Sequence, residues 1–170
     1  MTSPLDTGNR WVVLGVATFA LTCLGLAADH APALALVNES PSVPRGVYVR
    51  QIGSGVRRGD TVALRQPAVA RPYLAGLGMP MDVRLLKRVA AAEGDRVCRL
   101  GDRVTAGTRS VTAAYRDRRG IALPRWTGCR RLAAGEVFLL GDTPRSFDSR
   151  YFGPVRVADL EGVFREALTW

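Results

Sequence analysis

The chain has 170 residues, enough for one folded domain and a short appendage, and a net charge of +9 from 24 basic and 15 acidic residues. The basic residues are scattered in runs no longer than pairs such as Arg57-Arg58, so we expect no nucleic-acid partner. One histidine and three cysteines without a CxxC pair give no signature of a metal site, and we expect neither a metal nor a cofactor.

Residues 11–28 form an uncharged apolar run that predicts a single transmembrane helix. Eighteen helical residues span about 27 Å, close to the roughly 30 Å hydrocarbon core of a bilayer. Arg10 and the α-amino group favour an N-terminus in the cytoplasm. We therefore expect a cytoplasmic tail at 1–10 and an extracytoplasmic domain at 29–170, on the periplasmic side of the inner membrane. The alternative is a cleavable signal peptide, because small residues follow the run.

Residues 38–48, NESPSVPRGVY, predict a stiff, non-helical turn that leads into a strand. Pro41 and Pro44 each fix φ near about −65°, and Gly46 can adopt angles that other residues cannot. The turn therefore presents Ser42 at a set angle, as a nucleophile is presented. An ordinary Pro/Gly turn between an anchor and a domain has the same composition.

The remainder of the chain predicts a mainly β domain built from antiparallel sheet. Short β-branched or aliphatic runs end near Gly-Asp turn signals, a spacing that is typical of meanders and not of βαβ units. The predicted strands are 47–52, 61–66, 83–91, 96–100, 110–115, 136–141 and 155–164. The Pro/Gly-rich residues 67–82 predict an apolar loop that either rests on the membrane or packs in the core.

Cys98 and Cys129 flank the polar segment 99–128, which we expect to form a smaller β insert. If the domain lies outside the cytoplasm, a disulfide between these cysteines would close the segment. The chain-entropy model gives such a bridge a stabilisation of about 3–4 kcal/mol.

Lys87 is the only lysine among the 24 basic residues, and it lies in the predicted strand 83–91 among apolar neighbours. The mixed pattern allows this side chain to point inward, although most lysines lie at the surface. An arginine stays protonated near neutral pH, whereas a desolvated lysine can become neutral and act as a base. The single histidine, His30, lies at the end of the apolar run, so a Ser-His-Asp triad within the domain is not expected.

Residues 141–154, GDTPRSFDSRYFGP, are dense in hydroxyl, carboxylate and guanidinium groups. By themselves they predict either a polar turn with a surface ion pair or part of a site. The apolar run, the serine segment 38–48, the lysine strand 84–95 and this terminal box follow one another in an order and spacing that resembles a known family. That family is the signal peptidase I clan of serine peptidases with a Ser-Lys dyad, and within it the TraF-type conjugative-transfer peptidases.

The resemblance implies a signal-peptidase-like catalytic domain and a role for each matching residue. The implied roles are nucleophile for Ser42, general base for Lys87, oxyanion support for Ser40, hydrogen bonding to the lysine amine for Ser146, and support of the site for Asp148 and Arg150. Val43 is followed at once by Pro44, without the methionine of the usual signal peptidase pattern, and the terminal box is shorter than in the housekeeping form. Both departures favour a dedicated substrate.

The proposed base must be neutral when it acts, because a protonated amine cannot accept the serine proton. Moving the pKa of Lys87 from about 10.4 towards 7–8 costs about 4 kcal/mol, and burial among apolar side chains can supply this shift. A free carboxylate next to the amine would raise the pKa again. We therefore expect Asp148 to pair with Arg150 and not with Lys87.

The function that the resemblance implies is a membrane-anchored serine endopeptidase that removes an Ala-x-Ala-like leader from exported precursors. Its partners would be the membrane and a precursor protein with small residues at positions −1 and −3. The subgroup implies pilin or conjugative-transfer precursors, and in it a peptide amine can resolve the acyl-enzyme to give a cyclic pilin, a step that the sequence leaves open. The alternatives are a general signal peptidase I, a non-catalytic subunit of a conjugation or secretion complex, and a DNA-binding domain.

Overall fold

The computed structural model describes residues 7–30 and 32–170, so most of the expected tail at 1–10 and the side chain of His30 lie outside the described part. The chain divides into two compact units, and the boundary between them follows residue 33. Helix α1 (Thr7–His30) covers the apolar run at 11–28. Among the described residues, no helix is at once long enough and apolar enough to cross a membrane, and the transmembrane assignment is not confirmed.

The second unit, residues 34–170, is mainly β with antiparallel pairing, which confirms the predicted fold class. In this unit the strands and helices are β1 (Ala35–Asn38), β2 (Gly46–Gln51), β3 (Thr61–Leu64), α2 (Arg71–Gly76), β4 (Leu85–Ala91), β5 (Arg96–Leu100), β6 (Arg103–Ala106), β7 (Arg109–Thr112), β8 (Gly128–Arg131), β9 (Glu136–Leu140), α3 (Ser149–Phe152), β10 (Val155–Arg156) and β11 (Leu160–Thr169). Seven strands form one sheet in the order β1-β2-β11-β3-β4-β9-β10, and four form a second in the order β7-β6-β5-β8.

Strand β4 lies between β3 and β9 in the larger sheet and is buried along almost its whole length. Successive side chains of a strand point to opposite faces of its sheet. Leu85 and Val89 belong to one apolar cluster, whereas Leu86 packs with Val43 in another. Lys87 therefore shares a face with Leu85 and Val89, so its stem lies among apolar side chains.

The smaller sheet occupies the part of the chain that was expected to form a β insert. Val97 and Val104 are completely buried in an apolar cluster that also contains Phe138 and Leu140 of the larger sheet. Cys98 on β5 lies opposite Cys129 on β8, and the structure joins the two by a disulfide. The bridge links β5, the first strand of this sheet along the chain, to β8, the last.

The sequence prediction missed three strands, β6 in the smaller sheet and the edge strands β1 and β8. Strand β1 has four residues at the edge of the larger sheet, and β8 carries the sequence Gly-Cys-Arg-Arg with every residue exposed. Neither segment shows the period-2 alternation of a half-buried strand, because an edge strand with little buried surface does not need it. The pairing partners on β2 and β5 determine these strands.

The loop prediction for 67–82 was incomplete, because these residues contain helix α2. Pro72 lies in the first turn of this helix, where its missing N–H is not required. Leu74 is 2% exposed and packs in the core, whereas Met81 is 69% exposed. The predicted strand 155–164 is likewise interrupted, by a 3-10 turn between β10 and β11.

Candidate active site

The serine segment crosses from β1 to β2, and a buried asparagine holds its shape. The side-chain nitrogen of Asn38 lies 2.8–3.0 Å from the carbonyl oxygens of Ser40, Val43 and Pro44. Val43, 1% exposed, fixes the turn in the core. Neighbouring Ser42 is only 5% exposed, at the base of the cleft described below.

Gly46 begins β2 at a point where only glycine fits. Its φ is 158°, and a Cβ at this position would overlap the carbonyl oxygen of Leu168 on β11. The close approach lets β2 pair with β1 on one side and β11 on the other. The turn before it, with the serine, is thereby fixed to the larger sheet.

Lys87 lies at the centre of β4 opposite Val62 of β3, and only 4% of it is exposed. Its Nζ donates a hydrogen bond of 3.0 Å to the carbonyl oxygen of Leu86. The hydroxyl of Ser42 donates to the same oxygen at 3.3 Å. The structure therefore brings the two side chains together at one acceptor, and among residues 32–170 they make no direct hydrogen bond to each other.

Burial lowers the pKa of the Lys87 amine from 10.5 to about 8. This pKa includes the effects of nearby charges: the carboxylates of Asp148 and Asp142 raise it, and the guanidinium of Arg150 lowers it. Removal of the ammonium from water is the largest of these effects. About a tenth of the amine is neutral at pH 7, which is enough for a general base.

Asp148 and Arg150 form a bidentate ion pair in the interior, with both side chains no more than 1% exposed. Nε of Arg150 lies 2.8 Å from Oδ1 of Asp148, and Nη2 lies 2.9 Å from Oδ2. The carboxylate also accepts from the main-chain N–H of Gly141 at 2.8 Å and caps α3. Every hydrogen bond of Asp148 in the described residues goes to these groups, and none to Lys87.

Ser146 lies in the same cleft as Ser42 and Lys87 and is 4% exposed. Within the described residues its hydroxyl has no hydrogen-bond partner, so the structure does not join it to the lysine amine. The backbone of Gly141 lies directly against this hydroxyl. A side chain at this position would not fit, because its Cβ would overlap both Ser146 and the carbonyl oxygen of Ser42. An unpaired buried hydroxyl costs about 1–3 kcal/mol.

Ser40 lies against the predicted nucleophile. Its Oγ is 2.7 Å from the Oγ of Ser42 and accepts from the Ser42 N–H at 3.3 Å. The N–H of Asp142 donates to the Ser42 carbonyl at 2.6 Å and joins the terminal box to the serine turn. The two donors expected at an oxyanion hole, the Ser42 N–H and the Ser40 hydroxyl, therefore lie side by side.

The cleft has a volume of about 410 Å³ and brings the serine turn, β4 and the terminal box together. Ser42, Lys87 and Ser146 are among its polar groups, and apolar side chains such as Leu74 and Leu85 form much of its wall. Among the described residues, no group of three or more histidine, cysteine, aspartate or glutamate side chains could hold a metal ion.

Sequence reasoning missed two supports of this site. Asn38 carried a signal, because a short polar side chain before a Pro-rich turn commonly bonds to the turn's own backbone. Arg99, 1% exposed, donates to the carbonyl oxygen of Arg150 at 2.7 Å. Its only signal was the alternation of β5, which places Arg99 on the same face as the buried Val97.

The sequence of the chain matches a family of peptidases. The family model described as "Signal peptidase, peptidase S26" matches residues 9–169. Because this match covers almost the whole chain, the chain belongs to that family.

Two relatives are plasmid transfer proteins TraF of Escherichia coli, which confirms the TraF-type resemblance. One is 37% identical over 80% of this chain and 84% of its own length, and the other is 33% identical over 94% and 93%. A crystal structure of a signal peptidase I from Enterococcus faecalis V583 is similar with a TM-score of 0.38 and 26% identity, over 65% of this chain and 97% of that one. At that TM-score the similarity adds nothing to the fold described above.

Proposed function

We propose that this peptidase is a serine endopeptidase that removes leader peptides from exported precursors with Ser42 as nucleophile and Lys87 as general base. One observation carries the proposal: the serine hydroxyl and the buried amine donate to the same carbonyl oxygen, that of Leu86. A lysine with a pKa of about 8 can accept the proton that a serine must lose. The dyad needs neither a histidine nor a metal.

In the acylation step, Oγ of Ser42 attacks the scissile carbonyl carbon and its proton passes to the neutral amine of Lys87. For this transfer both groups leave the Leu86 carbonyl and turn towards each other. The unpaired hydroxyl of Ser146 can accept a hydrogen bond from the amine and orient it. The Ser42 N–H and the Ser40 hydroxyl then donate to the developing oxyanion.

Collapse of the tetrahedral intermediate breaks the peptide bond. The ammonium of Lys87 gives its proton to the leaving amine, which is the new N-terminus of the mature protein, and the leader remains as an ester on Ser42. The neutral lysine then takes a proton from water as the water oxygen attacks this ester. The bond between the acyl carbon and Ser42 Oγ breaks, Lys87 returns the proton to Oγ, and the leader departs with a free carboxyl group. If the acyl group on Ser42 is instead a pilin that has been cut near its C-terminus, the N-terminal amine of the same pilin can attack the ester in place of water. The amide that forms closes the pilin into a ring, and Ser42 Oγ leaves with a proton from Lys87.

The substrate class follows from the cleft and from the relatives. Apolar walls around a volume of about 410 Å³ suit an extended peptide with small side chains, such as Ala-x-Ala, at positions −1 and −3. The relatives are named plasmid transfer proteins. We therefore propose pilin or other conjugative-transfer precursors as the substrates.

We also propose that residues 11–28 anchor the domain in the inner membrane, with 29–170 on the periplasmic side. The uncharged run and the disulfide between Cys98 and Cys129 support this location, since disulfides persist in oxidising compartments. Protease treatment of spheroplasts should digest the domain and spare the same domain in intact cells. Protection in both preparations would contradict the proposed orientation.

The dyad is tested with the full chain in detergent and an internally quenched peptide that carries Ala-x-Ala before the scissile bond. We expect Ser42→Ala and Lys87→Met each to lower kcat/KM by about 10³-fold or more, because the members of a nucleophile–base pair act as a unit. Ser54→Ala, at an exposed turn, is the matched control and should keep the wild-type rate. Wild-type turnover in either dyad variant would refute the mechanism.

Cleavage of precursors and a growth-complementation experiment separate the alternatives. A non-catalytic subunit predicts no cleavage by the wild-type protein of any precursor. A general signal peptidase I predicts that the protein restores growth of cells depleted of their own signal peptidase, whereas a dedicated enzyme processes the conjugative precursor alone.

A further inference from the structure

A second and larger cleft opens beside the candidate active site. Its volume is about 800 Å³, and it lies between β7 with the loop that follows it and the terminal box. Thr143, Arg145 and Phe147 line both this cleft and the smaller one. A polypeptide leaving the smaller cleft can therefore cross the segment 143–147 directly into the larger one.

The walls of the second cleft carry an excess of unpaired positive charge. Arg109, Arg118, Arg119 and Arg145 are exposed there, and none of the four forms a salt bridge with any residue between 32 and 170. A guanidinium keeps its charge throughout the physiological pH range.

The two carboxylates that line this cleft already have partners. Asp117 accepts from the main-chain N–H groups of Arg119 and Ile121 and from the hydroxyl of Tyr73. Burial raises the pKa of Asp117, but these hydrogen bonds and the positive charge of Arg119 outweigh it and lower the pKa, so the carboxylate stays ionised. Asp142 pairs with Arg88. The arginines of the walls therefore remain available for an anionic ligand.

The floor of the cleft is aromatic, but its ring faces are largely covered. Phe147 stacks on Tyr73 with ring centroids 4.9 Å apart and on Tyr151 with centroids 5.4 Å apart. Tyr151 is itself 6% exposed. Single-stranded nucleic acids bind by stacking bases on free aromatic faces, which this floor does not offer. Edges of rings and aliphatic stems suit the apolar side chains of an extended peptide instead.

We propose that the second cleft binds an acidic segment of the precursor polypeptide, a few residues away from the scissile bond. The proposal rests on the endopeptidase function proposed above and names what that enzyme selects in addition to small residues at −1 and −3. Carboxylates of the segment pair with Arg118 and Arg119 while its backbone continues from the smaller cleft. Charge on the precursor then contributes to recognition independently of the cleavage motif.

The first experiment measures binding without cleavage, with full-length Ser42→Ala protein in nonionic detergent and two fluorescein-labelled peptides. Both peptides carry Ala-x-Ala; one continues into Asp-Glu-Asp-Glu and the other into Asn-Gln-Asn-Gln, and a second pair places these blocks on the leader side. By fluorescence anisotropy we expect one acidic peptide to bind about tenfold more tightly than its neutral partner, as two partly exposed ion pairs provide. The preference should shrink in 0.5 M salt.

Adding Arg118→Gln and Arg119→Gln should remove this tenfold preference. The matched control is Arg57→Gln with Arg103→Gln, which removes the same charge at exposed positions that line neither cleft. The control should retain the preference. Equal binding of acidic and neutral peptides, or a loss of preference in the control as large as in the cleft variant, overturns the proposal. Stronger competition by a (dT)12 oligonucleotide than by the acidic peptide also overturns it, in favour of nucleic acid.

A second experiment keeps this inference separate from the proposed function. Wild-type protein and both arginine double variants are assayed for cleavage of the neutral peptide. Cleavage at equal rates, with an acidic peptide favoured only when Arg118 and Arg119 are present, supports both proposals. Absence of cleavage by the wild type refutes the endopeptidase mechanism, while the anisotropy measurement still decides what the second cleft binds.

Discussion

The buried lysine makes a quantitative prediction about stability, which the substitution Lys87→Met tests. Below pH 8 the folded protein holds this amine as an ammonium that is 4% exposed, whereas the unfolded chain holds it in water. The lowering of the pKa from 10.5 to about 8 corresponds to about 3 kcal/mol of lost stability at about 1.4 kcal/mol per unit. Methionine fills a similar volume without a charge, so we expect Lys87→Met to be about 3 kcal/mol more stable at pH 6.

The size of the stability difference between Lys87→Met and the wild type depends on pH in a defined way. Between pH 8 and 10.5 the unfolded chain binds more protons at this lysine than the folded protein does, so wild-type stability rises with pH across this window. The advantage of Lys87→Met should therefore fall from about 3 kcal/mol at pH 6 to below about 1 kcal/mol at pH 10. No other titrating group differs between the two proteins.

Thermal unfolding of the full chain in detergent, followed by tryptophan fluorescence with the disulfide intact, measures this difference. For a protein of this size about 3 kcal/mol corresponds to an increase in Tm of roughly 6–12 °C at pH 6. A Lys87→Met protein that is less stable than the wild type at pH 6, or equally more stable at pH 6 and pH 10, would refute the account of the buried amine. The variant should be inactive, so stability and activity oppose each other at this position.

Three further predictions concern the same domain. Below pH 8 kcat/KM should fall about tenfold per unit as the amine becomes protonated and should level off above pH 8, and a flat profile from pH 6 to 9 contradicts this. Asp148→Ala leaves Arg150 buried and unpaired and should cost about 3–5 kcal/mol in urea unfolding, whereas Arg65→Ala, at a surface pair, should cost less than about 1 kcal/mol; equal costs would be contrary to this reasoning. Replacing both bonded cysteines by alanine should cost about 4 kcal/mol, given their separation of 31 residues, and an unchanged urea midpoint would show that the bridge does not constrain the unfolded chain.

The strands that were predicted well from sequence are those whose side chains are mostly buried. Strands β4 and β9 are apolar runs because they lie in the middle of the larger sheet, and their predicted bounds differ from the structure by at most two residues. Helix α2 was missed because Pro and Gly dominated the segment, although a proline in the first turn is compatible with a helix. Edge strands were missed because pairing, and not composition, determines them.

The residue types of the site and the Asp148–Arg150 pair were predictable from sequence, whereas the hydrogen bonds of Ser42 and Lys87 were not. The order of the serine turn, the lysine strand and the terminal box follows from sequence, and so does the need to keep a carboxylate away from the amine. That Ser42 and Lys87 share the carbonyl oxygen of Leu86 depends on a register between the turn and β4 that no local pattern encodes. The burial of Arg99 likewise depends on the packing of the smaller sheet, which brings it to the backbone of Arg150.

A chain with one lysine offers chemists a selective handle. Reagents that modify primary amines can react with the α-amino group and with Lys87, and with no other side chain of this protein. Because the amine lines the smaller cleft and is partly unprotonated near pH 8, a small electrophile such as cyanate should carbamylate it and abolish peptidase activity. The fraction of the Lys87-containing tryptic peptide that carries the added mass would then give the fraction of molecules with a reactive lysine.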